Sequence, residues 1–305
     1  MDIQTKQYNL KVYANQNWSL LAVANAIPWL EKLAKITKLS PKKSSPNHKS
    51  AHRIIVIKSR ELSAAHPFAG LPKKIGINLP KTGWHNRDQK HCQIWTHSSS
   101  KTVIFEISKD NSFALNIIRM WTILDIIYQQ VIDRGGFPIH SALVRKGQKG
   151  VIIAAHGGTG KSTCCQRIPP PWVGVCDDEV LIVRDQRGRY FAHPGPTWSN
   201  FLMKRKKRPT WAIEGSVPVA AFCFLKQSKK DRIEFIGQGQ GAICINQHSL
   251  QIAQRSFRHL EKEEEIKIRH RLFENACQAA KTLPSYILEA HKNGQFWKEI
   301  DKILK

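Results

Sequence analysis

Polar and apolar positions alternate along residues 7–14 (Gln-Tyr-Asn-Leu-Lys-Val-Tyr-Ala), which predicts a half-buried strand. From Trp18 to Leu39 the apolar residues recur at helical spacing, interrupted at Pro28. Lys, Ser and Pro crowd residues 41–52, a composition expected of a loop or linker. Three short runs rich in β-formers follow, Arg53–Lys58, Cys92–His97 and Thr102–Ser108, with Gly and Pro marking turns between the first two. Residues 112–133 carry Leu, Ile, Met and Trp on a broad apolar face. That pattern predicts a helix of about five turns, ended by Gly135-Gly136.

The pattern then changes. Ile139–Arg145 reads as a strand, residues 146–150 as a turn, and Val151–Ala155 as a wholly apolar strand. A glycine-rich loop, His156-Gly-Gly-Thr-Gly-Lys-Ser-Thr163, follows at once, and a short helix must end before Pro169-Pro170-Pro171. Trp172–Cys176 is a further strand, running into Asp177-Asp178. Val180–Arg184 and Tyr190–His193 flank a turn and form an expected hairpin, and Val217–Lys226 with Arg232–Ile236 form another. From Ser249 onward the pattern is helical, with no internal repeat.

Composition narrows the options. The 305 residues hold 41% hydrophobic and 9% aromatic side chains, enough for a substantial core and against wholesale disorder. The apolar runs at 18–30 and 113–132 are too short, or too broken by Arg119 and Asp125, to span a bilayer. The first residues show no secretory pattern. Seven cysteines lie scattered in apolar runs with no Cys-x-x-Cys pair, which argues against a disulfide scaffold or a zinc site and for reduced thiols in the cytoplasm. Lys and Arg number 48 against 23 Asp and Glu, a formal charge of +25. The excess is positive in each of the stretches 1–60, 61–150, 151–254 and 255–305, and densest at Lys204-Arg205-Lys206-Lys207-Arg208. Such a field attracts anionic partners, whether nucleic acid, an anionic membrane face or an acidic peptide, and is equally consistent with a solvated basic surface that has no dedicated partner. No nucleic-acid motif accompanies it, so nucleic acid is not the expected partner.

Residues 155–162 fit the pattern [AG]-x-x-x-x-G-K-[ST], with Ala155 in the first place. Here a strand enters the loop and a helix leaves it. Gly157, Gly158 and Gly160, with Thr159 between them, let successive N–H groups turn inward around phosphate oxygens. Lys161 can reach the outer phosphates, and the Ser162 hydroxyl, followed by Thr163, can bind Mg²⁺. Asp177 follows only 16 residues after Lys161. Paired carboxylates at that strand end can divide two tasks, metal binding and acceptance of a proton.

Together these residues resemble the catalytic half of the HPr kinase/phosphorylase superfamily, in particular its shorter relatives. The similar features are Ile139-His140-Ser141-Ala142, Gly147, Val151–Ala155, Gly157–Thr163 and Val175-Cys176-Asp177-Asp178. Further matches are His193-Pro194-Gly195-Pro196, Met203-Lys204 and the tail from Leu283 to Trp297. Among those relatives the chain resembles the SynChlorMet cassette ScmC family, whose expected neighbours are radical-SAM enzymes and a PqqD-like peptide-binding protein. The resemblance implies an α/β fold of α+β character with a mixed sheet, in which residues 111–305 form the nucleotide-binding domain, closed by C-terminal helices. Residues 1–110 would be a β-rich α+β region of unassigned role. It also implies a Mg·ATP-dependent serine kinase acting on a peptide or protein. Lys161 and Ser162 would bind phosphate and metal, Asp177 would be the general base, Asp178 the metal-side carboxylate, and His140 would lie near the transferred group. Full HPr kinases assemble into rings, so an oligomer is possible. An ATP-binding scaffold or switch without transfer is the alternative, and a nucleic-acid-associated ATPase a further one. The later Glu- and Gly-rich metal segment of full HPr kinases is not found, with Glu214-Gly215 a weak stand-in.

Overall fold

The computed structural model describes residues 4–14, 16–41, 52–59, 75–109, 112–202 and 211–304. It is mixed α/β, and its residues divide into two units, drawn from Met1–Ile127 with Phe201–Lys206 and from Tyr128–Asn200 with Lys207–Lys305.

The first unit holds β1 (Thr5–Leu10), β2 (Trp18–Val23), α1 (Ile27–Thr37), β3 (His52–Ser59), β4 (Trp84–Asp88), β5 (Cys92–His97) and β6 (Thr102–Ser108). The strands form a mixed sheet in the order β1-β2-β3-β6-β5-β4, parallel only at β2–β3 and β3–β6. The helical spacing expected from Trp18 onward is overturned in its first half. Every residue of β2 is buried, its one polar residue Ser19 included, so polar and apolar positions do not alternate and a buried strand mimics a helix. Pro28 starts the helix instead of interrupting it, because the first turn needs no N–H there. The helix α2 (Phe113–Asp133) follows, and the division between the units falls within it. Its Arg119 is fully buried and donates to the His91 carbonyl at 2.8 Å and to Ser108 Oγ, which lets a charge sit inside an apolar run.

The second unit holds β7 (Phe137–Ile139), β8 (Ser141–Lys146), β9 (Lys149–Ala154), α3 (Lys161–Arg167), β10 (Trp172–Cys176), β11 (Val180–Arg184), β12 (Tyr190–Pro194), the start of α4 (Trp198–Leu202), β13 (Val217–Gln227), β14 (Arg232–Ile236), α5 (Gln238–Phe257), α6 (Lys262–Thr282), β15 (Ser285–Ala290) and α7 (Phe296–Ile303). The expected strand 139–145 is two strands that break at His140. β11 and β12 form the expected hairpin, but β13 and β14 do not, because β15 inserts between them. Strands run in the order β10-β8-β9-β13-β15-β14, while the first residues of β13 also pair with β12 and lead to β11 and β7. β9, β13 and β15 are mutually parallel. β10 shares their direction, since both β10 and β9 are antiparallel to β8. Their carboxyl ends therefore share one edge of the sheet, where open α/β sheets place their sites. One face is covered by residues of α5 and α6 (Ile245, Phe257, Leu272, Ala276), the other by α3 and α7 (Cys164, Phe296, Ile300).

Asn275 of α6 secures the end of α2, its Nδ2 donating to the carbonyls of Ile132 (2.8 Å) and Gly136 (2.9 Å). A Cβ on Gly136 would lie 2.3 Å from the Ile182 carbonyl oxygen, so the chain there admits only glycine. Asn275→Ala leaves two buried carbonyls without that donor and is expected to cost about 2 kcal/mol. Urea unfolding measures it, and an unchanged midpoint overturns this role.

Candidate functional site

β9 is fully buried from Val151 to Ala154, which fixes the point where the chain leaves the sheet. The loop that follows turns through Gly158 (φ +80°) and Gly160 (φ +111°), left-handed values that disfavour any side chain. Gly157 needs no such freedom and has open space where a Cβ would stand. The N–H groups of Gly157, Gly158 and Gly160 make no backbone hydrogen bond among the described residues. Gln227, at the end of β13, pins the loop by donating to the Thr159 carbonyl at 3.2 Å. Ser162 lies half-buried and Thr163 exposed in the first turn of α3.

Lys161 is only 6% exposed. Its ammonium turns back to donate to the carbonyls of Ala155 (2.8 Å) and His156 (3.1 Å) and to His140 Nε2 (2.9 Å), so all three hydrogens are engaged. Burial lowers its pKa to about 8, opposed by the charges of Asp178 and Asp177. His140 occupies the break between β7 and β8, anchored by its N–H to the His248 carbonyl at 3.0 Å. Burial and then the Lys161 and Arg255 charges lower its pKa to about 4, so the ring is neutral at pH 7. Because Nε2 accepts from an ammonium, the ring proton sits on Nδ1, which lies 3.6 Å from Asp178 Oδ1. That separation is a proximity between a neutral ring and a carboxylate and not a hydrogen bond.

The two acids differ. Asp177 is buried and its Oδ1 accepts from the Thr197 hydroxyl at 2.7 Å, while Thr197 accepts from the Trp211 indole at 3.1 Å. Asp178 has its pKa raised to about 6, first by burial and then by Glu179, with Arg255 and Lys161 opposing. The structure thus gathers His140, Lys161, Asp177 and Asp178 around one loop. Among the described residues no three His, Cys, Asp or Glu side chains form a metal cluster. The Ser162 hydroxyl and the Asp178 carboxylate are hard oxygen donors of the kind Mg²⁺ takes. The basic run 204–208, with Met203, lies outside the described residues.

Several participants escaped the sequence reading. Glu179 is buried, with one oxygen accepting from Tyr128 and the other from Arg255 (2.9 Å). His248 stacks flat on Phe224 (5.8 Å, 14°) and lies 5.3 Å from the His156 ring. Gln251 contacts Nδ1 of both rings, at 3.1 Å for His156 and 3.3 Å for His248. His248, Gln251 and Arg255 lie three and four residues apart, the spacing of one helical face. That spacing is the signal the sequence did offer.

A family model described as SynChlorMet cassette protein ScmC matches residues 103–305, two thirds of the chain. The chain belongs to the ScmC family. The match starts in β6 and spans all of β7–β15, so the loop, the acids and the α5 face of this ScmC member all lie inside it. A comparison with curated proteins finds no match.

Burial also lowers the pKa of His193 and His248 to about 4. The unfolded chain protonates these two imidazoles and His140 below about pH 6.5, whereas the folded chain refuses those protons until about pH 4. Stability therefore falls as pH drops through that window. Asp178 acts oppositely, binding a proton near pH 6 when folded but only near 3.8 when unfolded. The net difference of about two protons gives a slope of up to about 3 kcal/mol per pH unit. Urea midpoints between pH 7 and 4.5 test this, with His193→Gln expected to remove one proton from the slope. A flat profile contradicts it.

Proposed function

We propose that this ScmC family member is a Mg·ATP-dependent phosphotransferase of the HPr-kinase-like kind, moving a phosphoryl group to a hydroxyl of a peptide or protein. The observation that carries the reading is the Lys161 ammonium, buried at the end of a loop whose three glycine amides make no backbone hydrogen bond among the described residues, with Asp177 and Asp178 close enough to oppose the lowering of its pKa by burial. Amides of a left-handed glycine turn and one ammonium are the donors a polyphosphate requires. Membership of a cassette family supports partners from the same cassette, and the resemblance to proteins of peptide-modification clusters supports a peptide acceptor, with radical-SAM and PqqD-like proteins as the expected neighbours.

In this reading Lys161 exchanges the carbonyls of Ala155 and His156 for phosphate oxygens, a trade of neutral for charged acceptors that favours the ammonium. His140, neutral, keeps the lysine in place through Nε2. The acceptor oxygen bonds to the γ-phosphorus, the bond from that phosphorus to the ADP oxygen breaks, and the hydroxyl proton passes to Asp177. Thr197 holds Oδ1 of that carboxylate and so fixes its plane. Ser162 and Asp178 would hold Mg²⁺, which when bound neutralises charge on the phosphates.

The alternative is a nucleotide-binding switch without transfer. It is favoured by the fact that all three Lys161 hydrogens are already engaged, so a ligand must rearrange the site. Incubation with γ-labelled ATP and the peptides encoded beside the gene separates the two. Label is expected on a peptide and lost with Lys161→Ala. Asp177→Asn is expected to bind nucleotide in calorimetry within about threefold of the parent and to lose about 10²–10⁴ in rate. Label transfer that survives both substitutions overturns the proposal, and nucleotide binding without any transfer establishes the switch.

A further inference from the structure

The edge of the sheet at β14 combines three features that the nucleotide site does not use. β14 pairs with β15 alone among the described residues, so its outer backbone edge meets no strand. Phe235 is 61% exposed there, standing edge-on to Tyr286 at 5.7 Å. The third feature is charge. The turn between β13 and β14 and the turn after β15 are joined by Asp231, whose carboxylate accepts from the N–H groups of His291 (2.7 Å) and Gln295 (2.5 Å). This spends the turn's acid internally. Lys226, Lys229, Lys230 and Lys292 remain exposed around it, with no acidic partner within 4 Å among the described residues.

Position relates this rim to the site. β14 begins at the edge of the sheet where β9, β13 and β15 end, because it is antiparallel to β15. Gln227 bonds the phosphate loop from the end of β13, and Arg167 of α3 donates to the carbonyls of His291 (3.4 Å) and Gly294 (2.6 Å). Four strand spacings of about 4.8 Å separate β9 from a strand added beyond β14, or about 19 Å, which about six extended residues cover.

We propose that β14 and its lysine rim are a docking site for an acidic, extended peptide that adds to the sheet as a further strand. Main-chain bonds to the open edge supply affinity irrespective of sequence. The rim selects negative charge, and Phe235 takes an apolar side chain on alternate positions. A duplex or single-stranded nucleic acid is also anionic but offers no peptide backbone to a strand edge, which favours the peptide. The proposal deepens the phosphotransfer reading by naming where the acceptor chain would be held, with its hydroxyl a few residues beyond the docked stretch. Docking itself needs no nucleotide.

The probe is a fluorescein-labelled peptide of alternating Glu and Val, titrated by anisotropy against the full chain without nucleotide. Binding is expected to weaken with salt, and about tenfold in the double variant Lys229→Ala/Lys230→Ala, whose exposed positions leave the fold intact by circular dichroism. The same peptide N-methylated at alternate residues keeps its charge but loses strand bonds, and is expected to bind at least about tenfold more weakly. Equal binding of the methylated probe overturns strand addition. Displacement of the parent probe by mixed-sequence RNA at lower concentration than by unlabelled peptide assigns the rim to nucleic acid and also overturns the proposal. Phosphotransfer that fails while the probe binds leaves docking standing. Transfer that persists when the probe does not bind removes docking alone.

Discussion

A buried ammonium must find its partners in the chain that buries it, and Lys161 finds all of them locally. Two are carbonyls of the loop it terminates and the third is an imidazole from the strand break before that loop. The cost of removing the charge from water is visible in its lowered pKa, and the nearby carboxylates of Asp178 and Asp177 oppose it. The arrangement couples three things that would otherwise be independent: the curl of the loop, the neutrality of His140 and the placing of the acid pair.

α5 secures that arrangement from the far side. Through His248 it holds the backbone of His140, through Gln251 it holds the His156 ring, and through Arg255 it holds Glu179, the neighbour of the acid pair. One rigid element thus touches the strand break, the loop and the acid strand end. Gly195 completes the fit, since a Cβ there would lie 2.8 Å from the Glu179 carbonyl that its own N–H bonds.

Where local chemistry decides the structure, the sequence was readable. β5, β6, β10, β11 and β14 have the bounds their β-rich runs suggest, because turn residues bracket each. The nearness of Lys161, Asp177 and Asp178 is legible in the loop pattern and the 16-residue spacing, whereas His140 enters only through the family resemblance. β2 was not readable, because burial on both faces erased its period. The pairing of β14 was missed because its partner lies some fifty residues later, beyond two helices. Glu179, His248, Gln251 and Arg255 looked like ordinary polar positions, and only the tertiary packing of α5 makes them part of the site.

β13 has consequences for how this chain is made. It is the seam through which β9, β15 and the β12 branch are joined, yet its partners lie on both sides of it in sequence, from Gly150 to Ala290. On the ribosome β9 therefore emerges with an uncovered flank and waits for some seventy further residues before β13 can cover it. The last strand of the seam, β15, follows some sixty residues later still. Such non-local pairing slows folding and leaves sticky edges exposed in the nascent chain. The surplus of positive charge along the whole sequence opposes association between such half-made chains, because like-charged chains repel.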